Sequence, residues 1–241
     1  MEGGHLSRRV LNLLSDPFPS KEAFQHPASA DLARFWRAAL ACKECPTIAP
    51  WRKFPPAARG NPTYGVMILG EAPGRVSLEH GRPFSNPRNL TIRNAFARAI
   101  APCEFEPERM LYFSDAVKCW PASPTGANRS PTTAEATTCA RLHLTREIAI
   151  IRPKVIFAFG ARAVAALHGG QVKLTAMHGR AIDHVDGFRM IPLMHPSTIN
   201  IAGMRRVGIR GLDDYETQLA DLFRAELSRL KLDPALVDPL E

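Results

Sequence analysis

Glu71 stands in the stretch Gly70-Glu71-Ala72-Pro73-Gly74, directly behind the apolar run Val66-Met67-Ile68-Leu69. A carboxylate there can orient a water or balance positive charge as it develops, and the flanking glycines let a ligand approach the backbone closely. Asp115, in Ser114-Asp115-Ala116-Val117-Lys118-Cys119, and His195, in His195-Pro196-Ser197, hold similar places behind other apolar runs. Two acids and an imidazole are the makings of acid–base or electrostatic catalysis. Taken singly, each has an ordinary structural explanation: a tight turn, a cap for backbone amides, a loop histidine bonded to a carbonyl. Falling behind three different runs, they are better explained by one cleft.

A second group is formed by cysteines. Cys42 and Cys45 lie in Cys42-Lys43-Glu44-Cys45-Pro46, and Cys119 and Cys139 flank a polar, proline-containing segment. In a reducing compartment such spacing reads as metal or cluster ligation rather than as disulfides. Four thiolates in this split fit either a four-cysteine zinc site or an iron–sulfur cluster, and spacing leaves both open. The fifth, Cys103, reads as a packed thiol.

The elements that must position these residues follow from periodicity. Strands are expected at 66–69, 110–117, 155–159 and 190–194, the last two as continuous apolar runs of the kind buried on both faces. Helices are expected at 89–101, 132–151, 161–169 and 212–230. Thr132 with Glu135 forms a capping box, Pro153 stops that helix, and Gly169 closes the next. The last helix places Tyr215, Leu219, Leu222, Phe223, Leu227 and Leu230 on one face. An earlier helix carries Leu32, Phe35, Trp36 and Leu40 at helical spacing, ahead of a proline-rich connector. Alternating strand and helix predicts an α/β fold with a four-stranded parallel sheet covered on both sides, and ligands beyond the C-terminal strand ends. One domain is expected over 1–241, with a helical N-terminal segment (1–62) carrying the Cys-x-x-Cys pair and an α/β core (63–241).

Composition narrows the partner. Thirty-one Lys and Arg against 23 Asp and Glu give a net charge of +8, which favours a polyanion. The apolar run Val10 to Leu14 is too short for a signal-peptide core, and no run approaches roughly 18 apolar residues. An intracellular protein with no membrane partner is expected.

The residues now carry a resemblance. Gly-Glu-Ala-Pro-Gly followed by Gly-Arg-Pro-Phe at 81–84, Val-Lys-Cys at 117–119, Asn-Arg-Ser-Pro at 128–131, Cys139, the run 152–163 and His-Pro-Ser at 195–197 occur in the order found in family 4 uracil-DNA glycosylases. The chain resembles that family over residues 42 to 200 or so. The resemblance implies a three-layer α/β/α sandwich, DNA as partner, and hydrolysis of the bond joining uracil to deoxyribose after the base leaves the stack. It further implies a monomer that is cytoplasmic and nucleoid-associated when on DNA. Glu71 would act at the attacking water and the sugar, and His195 would donate to uracil O2. Phe84 would stack on the base, with Gly70, Ala72, Ser77 and Asp115 around it. Cys42, Cys45, Cys119 and Cys139 would hold a 4Fe-4S cluster, with zinc the alternative. Ser197, Arg205, Arg206 and Arg210 would meet DNA, and Ile199, Ile201 or Met204 would wedge into the duplex.

Two positions depart from the family pattern. Ser77 and Leu78 stand where the family carries two acids, with Glu79 or His80 as neighbouring substitutes. Asp115 stands where the family has an asparagine that pairs with uracil N3 and O4; an ionised carboxylate offers acceptors only. That difference leaves two expectations: either Asp115 is protonated in the pocket, its pKa raised by burial, or base recognition is relaxed or rerouted and admits other deaminated bases such as hypoxanthine and xanthine. The sequence also admits two rival readings. One is an abasic-site or lesion binder of the same fold with little turnover; the other is a phosphate-binding α/β enzyme, in which Glu71 would repel its own ligand.

Overall fold

The computed structural model describes residues 29–48, 59–197 and 200–237. Helix α1 (Ser29–Ala41) precedes the short strand β1 (Arg59–Gly60), then β2 (Val66–Gly70), α2 (Arg75–Glu79), α3 (Leu90–Ile100) and β3 (Leu111–Asp115). Next come α4 (Thr133–Cys139), a π-helical turn (Ala140–Leu144), α5 (Thr145–Ile151), β4 (Val155–Phe159) and α6 (Ala161–His168). The chain continues through α7 (Leu174–Met177), β5 (Ile182–Asp183), β6 (Arg189–Leu193), α8 (Ile201–Arg206) and α9 (Leu212–Arg229).

Among the described residues the sheet has six strands, in the order β1-β3-β2-β4-β6-β5. Its four inner strands are parallel, as the apolar runs predict. The expectation of four strands is corrected at the edges, where β1 and β5 pair antiparallel over two residues each. Two residues carry no alternation, so neither edge strand has a sequence signature. β1 also brings residues 59–60, from the segment ahead of position 63, into the sheet.

Register decides what meets at the strand ends. Gly70 lies opposite Asp115, and Phe159 lies opposite Leu193, so Glu71, Asp115, Gly160 and the Met194–His195 turn all leave the sheet on one edge. Alternate residues of β3 serve different faces. Phe113 packs on Phe84 and beneath the Arg93 guanidinium of α3, while Tyr112 and Ser114 hydrogen-bond Glu147 of α5. Phe157 of β4 packs on Phe223 of α9, which in turn meets Phe96 of α3 edge-on. Burying each such ring contributes about 1.5–3 kcal/mol.

The helices follow the periodicity with two adjustments. The 132–151 expectation keeps its capping box, with Glu135 N–H donating to Thr132 Oγ1 (3.2 Å) and Thr132 N–H to Glu135 Oε2 (2.8 Å), but a π turn interrupts it. In α1 the buried face is Leu32, Phe35, Trp36 and Ala39, whereas Leu40 is only partly covered. Gly169 caps α6 at φ 79°, as expected.

Candidate active site

The strand ends open into a cavity of about 550 Å³. Gly70, Glu71, Ala72, Ser77, Phe84, Asp115, His195 and Ser197 all line it, so the expected acids, imidazole and aromatic meet in one place. Its rim adds Asn128, Asn200 and Arg88.

Glu71 is fixed by the start of α6. The backbone N–H of Arg162 donates to its Oε1 at 3.0 Å, and Gly160, at φ 99°, leaves the room its side chain fills. A β-carbon on Gly160 would lie 2.5 Å from Oε1 and 2.6 Å from Cγ of Glu71. Burial raises the Glu71 pKa, and the Arg162 N–H and charge pull the other way. Gly160 is visible in the sequence as the residue ending a strand, but nothing there says what it makes room for.

Phe84 is both core and wall. It is 5% exposed, lies 5.8 Å from Phe113 and 6.2 Å from Phe159 between ring centroids, and still faces the cavity. Its φ of 53° is a left-handed conformation that a bulky side chain adopts only when its surroundings impose it. The restraint comes from Arg93, whose guanidinium donates to the Pro83 carbonyl (2.5 Å) and to both oxygens of Glu108 (2.7 and 2.9 Å).

Asp115 sits beside Phe84 on the same face of Gly70. A β-carbon on Gly70 would be 2.3 Å from Asp115 Oδ1 and 2.9 Å from Phe84 Cζ, so only glycine fits. Burial pushes the Asp115 carboxyl up to about 7, with Lys118 opposing and Glu147 and Glu71 adding to the rise. Behind it lies a buried polar set that the sequence does not announce. Lys118 Nζ donates to Glu147 Oε2 (2.5 Å), to Ser114 Oγ (2.9 Å) and to the Asp115 carbonyl, while Tyr112 Oη donates to Glu147 (2.8 Å).

His195 is a neutral imidazole at neutral pH, because burial lowers its pKa to about 4. Its turn is braced from both sides. Tyr215 Oη donates to the Met194 carbonyl, and Asn200 Nδ2 donates to the His195 carbonyl (3.1 Å) and to Ser197 Oγ (3.1 Å). Asn128 Oδ1 accepts from the Arg75 N–H (3.0 Å) and from Trp120 Nε1 (2.8 Å), pinning the 128–131 segment to the start of α2.

Of the two residues at the departing positions, Ser77 is buried and faces the cavity, while Leu78 packs with Trp120 and Ala122. Glu79 is exposed and paired with Arg75 (2.7 Å), and His80 Nδ1 meets Ser85 Oγ at 3.2 Å, so neither lines the cavity to replace an acid. Arg205, Arg206 and Arg210 are exposed beyond the His195 turn rather than in the cavity. Among the wedge candidates Met204 is a correction: it is 5% exposed and belongs to the core, because α8 turns it inward. Ile201 is 41% exposed, and Ile199 lies outside the described residues.

The four cysteines line a second, smaller cavity, together with Ala39, Lys118 and His143. No disulfide joins them. The Lys118 N–H donates to Cys139 Sγ at 3.3 Å, and Ala72, Cys45 and Cys119 all pack against the small cluster of Ile48, Val117, Ala136 and Cys139, which links this centre to the turn that carries Glu71. His143 is 8% exposed and its Nε2 has no partner among the described residues, an orphan donor or acceptor next to four sulfurs. Among the described residues no group of three or more His, Cys, Asp or Glu side chains is placed to hold a metal ion.

Residues 57–220 match the family described as the Uracil DNA glycosylase superfamily, more than half of the chain. The chain belongs to this superfamily. It is 32% identical over 139 residues to the Type-4 uracil-DNA glycosylase of Thermotoga maritima, covering 57% of this chain and 67% of that protein. The Type-4 uracil-DNA glycosylase of Pyrobaculum aerophilum is 29% identical over 216 residues, 85% of this chain and 99% of that one. A third, from Sulfurisphaera tokodaii, is 30% identical over 121 residues, half of each chain. The superfamily match contains every residue of the strand-end cavity, and it leaves Cys42 and Cys45 outside its bounds. No helix among the described residues is long and apolar enough to cross a membrane.

Proposed function

We propose that the chain hydrolyses the N-glycosidic bond of uracil in DNA, leaving an abasic site, and so acts in DNA repair. The observation that carries this is the meeting of Glu71, Phe84, Asp115 and His195 in one cavity of a superfamily member. Glycosidic cleavage builds positive charge on the sugar and negative charge on the departing base, so the site needs an acceptor at the sugar and donors at the base. Glu71, its carboxylate held by the Arg162 N–H, serves the sugar and the attacking water. His195 donates a ring N–H to uracil O2 as the base becomes an anion; a neutral imidazole does this without the cost of a buried charge. Phe84 stacks on the flipped base, and Gly70, Ala72 and Ser77 complete the wall.

Hypoxanthine and xanthine present the same N–H and carbonyl edge as uracil, and the proposal extends to them. Ser197 and the exposed Arg205, Arg206 and Arg210 contact the DNA backbone, making binding weaken steeply with salt. Cys42, Cys45, Cys119 and Cys139 hold a 4Fe-4S cluster, with zinc the alternative; what supports a four-cysteine centre is that all four thiols are free and line one cavity. The cluster supplies a structural tie between α1 and the active-site turn, and no step of the hydrolysis passes through it. Helices α1 and α5 on one sheet face and α3 and α9 on the other support a three-layer sandwich. The enzyme is read as a single-domain monomer, cytoplasmic and associated with the nucleoid on DNA. The alternative of an abasic-site binder with little turnover is not favoured, since the similar proteins are named as glycosylases; the lack of a histidine in 120–131 speaks against its covalent form alone. Incubation with uracil-containing single- and double-stranded oligonucleotides, followed by alkali, tests the proposal; scission at uracil is expected, and none beyond the control would refute it.

A further inference from the structure

Position 115 is where side-chain chemistry and reaction disagree. The N3–H and O4 edge of uracil calls for an acceptor and a donor side by side, and an ionised carboxylate has no proton to donate. Yet Asp115 is placed to meet a base. Its Oδ1 and the Phe84 ring crowd the same face of Gly70, 2.3 Å and 2.9 Å from one point, so a base lying on Phe84 comes within reach of the carboxyl. Both residues line the cavity, and they are the two side chains nearest that point.

Lys118, the cation that opposes the rise in the Asp115 pKa, does not bond the carboxyl. Lys118 is 1% exposed, and its ammonium has three acceptors already: Glu147, Ser114 Oγ and the backbone carbonyl of Asp115, not the carboxyl. An ammonium has three donors, so this set uses all of them. The other charged groups acting on Asp115 are both acids, Glu71 at the end of β2 and Glu147 on α5. A carboxyl that is 7% exposed, beside two carboxylates and a committed lysine, is more stable with its proton on.

We infer that Asp115 reads the base as a neutral carboxylic acid, its O–H donating to O4 and its carbonyl accepting from N3–H, in place of an amide. This rests on the glycosylase reading above. The acid form offers one donor and one acceptor at the spacing of a carboxamide, so uracil recognition survives the substitution, but only while the proton stays. With the carboxyl titrating at about 7, base recognition holds below that pH and is lost above it. Excision then falls about tenfold per pH unit on the alkaline side.

The test compares the full-length, cluster-containing protein with Asp115→Asn. Values of kcat/KM for uracil release from a single-stranded oligonucleotide are measured from about pH 6 to about pH 9. The parent is expected to decline about tenfold per unit above neutrality, while Asp115→Asn lacks that limb and overtakes the parent by about tenfold or more at the alkaline end. The same alkaline decline in both proteins would overturn the inference. The proton is read separately, without turnover, by carbon-13 NMR of aspartate-labelled protein: a carboxyl resonance absent from Asp115→Asn should titrate near neutrality. Titration in the ordinary aspartate range would overturn the inference and leave the glycosylase reading standing. A parent with no uracil release at any pH, but with that resonance in place, would instead overturn the glycosylase reading.

Discussion

Gly160→Ala is the substitution that tests how Glu71 is held. Gly160 has φ 99°, so an alanine there carries backbone strain of about 1–3 kcal/mol. Its new methyl would also sit 2.5 Å from Glu71 Oε1, 2.6 Å from Cγ and 2.7 Å from Cδ, against ordinary contacts of 3.4 Å or more. To relieve the contact the carboxylate must withdraw by roughly 1 Å, giving up the 3.0 Å bond from the Arg162 N–H. Displacement on that scale costs about 100-fold in rate, or about 2.7 kcal/mol of transition-state stabilisation. Gly169→Ala is the control, since Gly169 also has positive φ (79°) but a β-carbon there would meet nothing within 4 Å. Single-turnover uracil release and thermal unfolding should separate the two. Both variants lose a few degrees in Tm, about 2–4 °C per kcal/mol for a chain of this size, and only Gly160→Ala loses rate. A Gly160→Ala protein with the parent rate, or equal rate losses in both, would refute the placement of Glu71 against the start of α6.

Three further outcomes follow from the same structure. Lys118→Met leaves Glu147 buried without its cation and should cost about 3–5 kcal/mol in chemical denaturation, most of it recovered in the double variant with Glu147→Gln. Because the native Asp115 pKa stands at about 7 against 3.8 unperturbed, the folded state holds a proton that the unfolded chain has lost between those values. Stability therefore falls as pH rises through that window, by up to about 4 kcal/mol, and denaturation of Asp115→Asn should lack that slope. Metal analysis of the purified protein should find about four irons per chain and visible charge-transfer absorption, both lost in Cys42→Ser with Cys45→Ser; one zinc per chain would exclude the cluster.

The parts of the fold legible in the sequence are those in which burial repeats along the chain. Val66–Gly70 and Val155–Phe159 are apolar throughout because both sheet faces are covered, and Tyr215, Leu219, Phe223 and Leu227 keep one helical face inward. The edge strands are invisible because two residues cannot show a period, and Arg59 or Asp183 has no strand-like character of its own. Met204 looks like a surface wedge until α8 is known to turn it into the core. In the site, Glu71, Asp115 and His195 are legible because they stand at or just behind strand ends, and Phe84 because it falls in the Gly-Arg-Pro-Phe motif. The residues that hold them are not. Gly160 matters for the space it leaves, Arg162 for a backbone N–H, and Lys118 for a partner 29 positions away, Glu147, that removes its charge from solvent. Such roles depend on what the fold brings near, which local pattern does not encode.

The roles of Glu71 and His195 are tested most sharply by single-turnover uracil release by Glu71→Gln and His195→Ala, measured beside their binding to the same oligonucleotide. Each variant should lose about 100-fold or more in rate while its affinity for DNA stays within a few-fold of the parent. Parent-like rates in either variant, or binding lost together with rate, would contradict the roles given to these two residues.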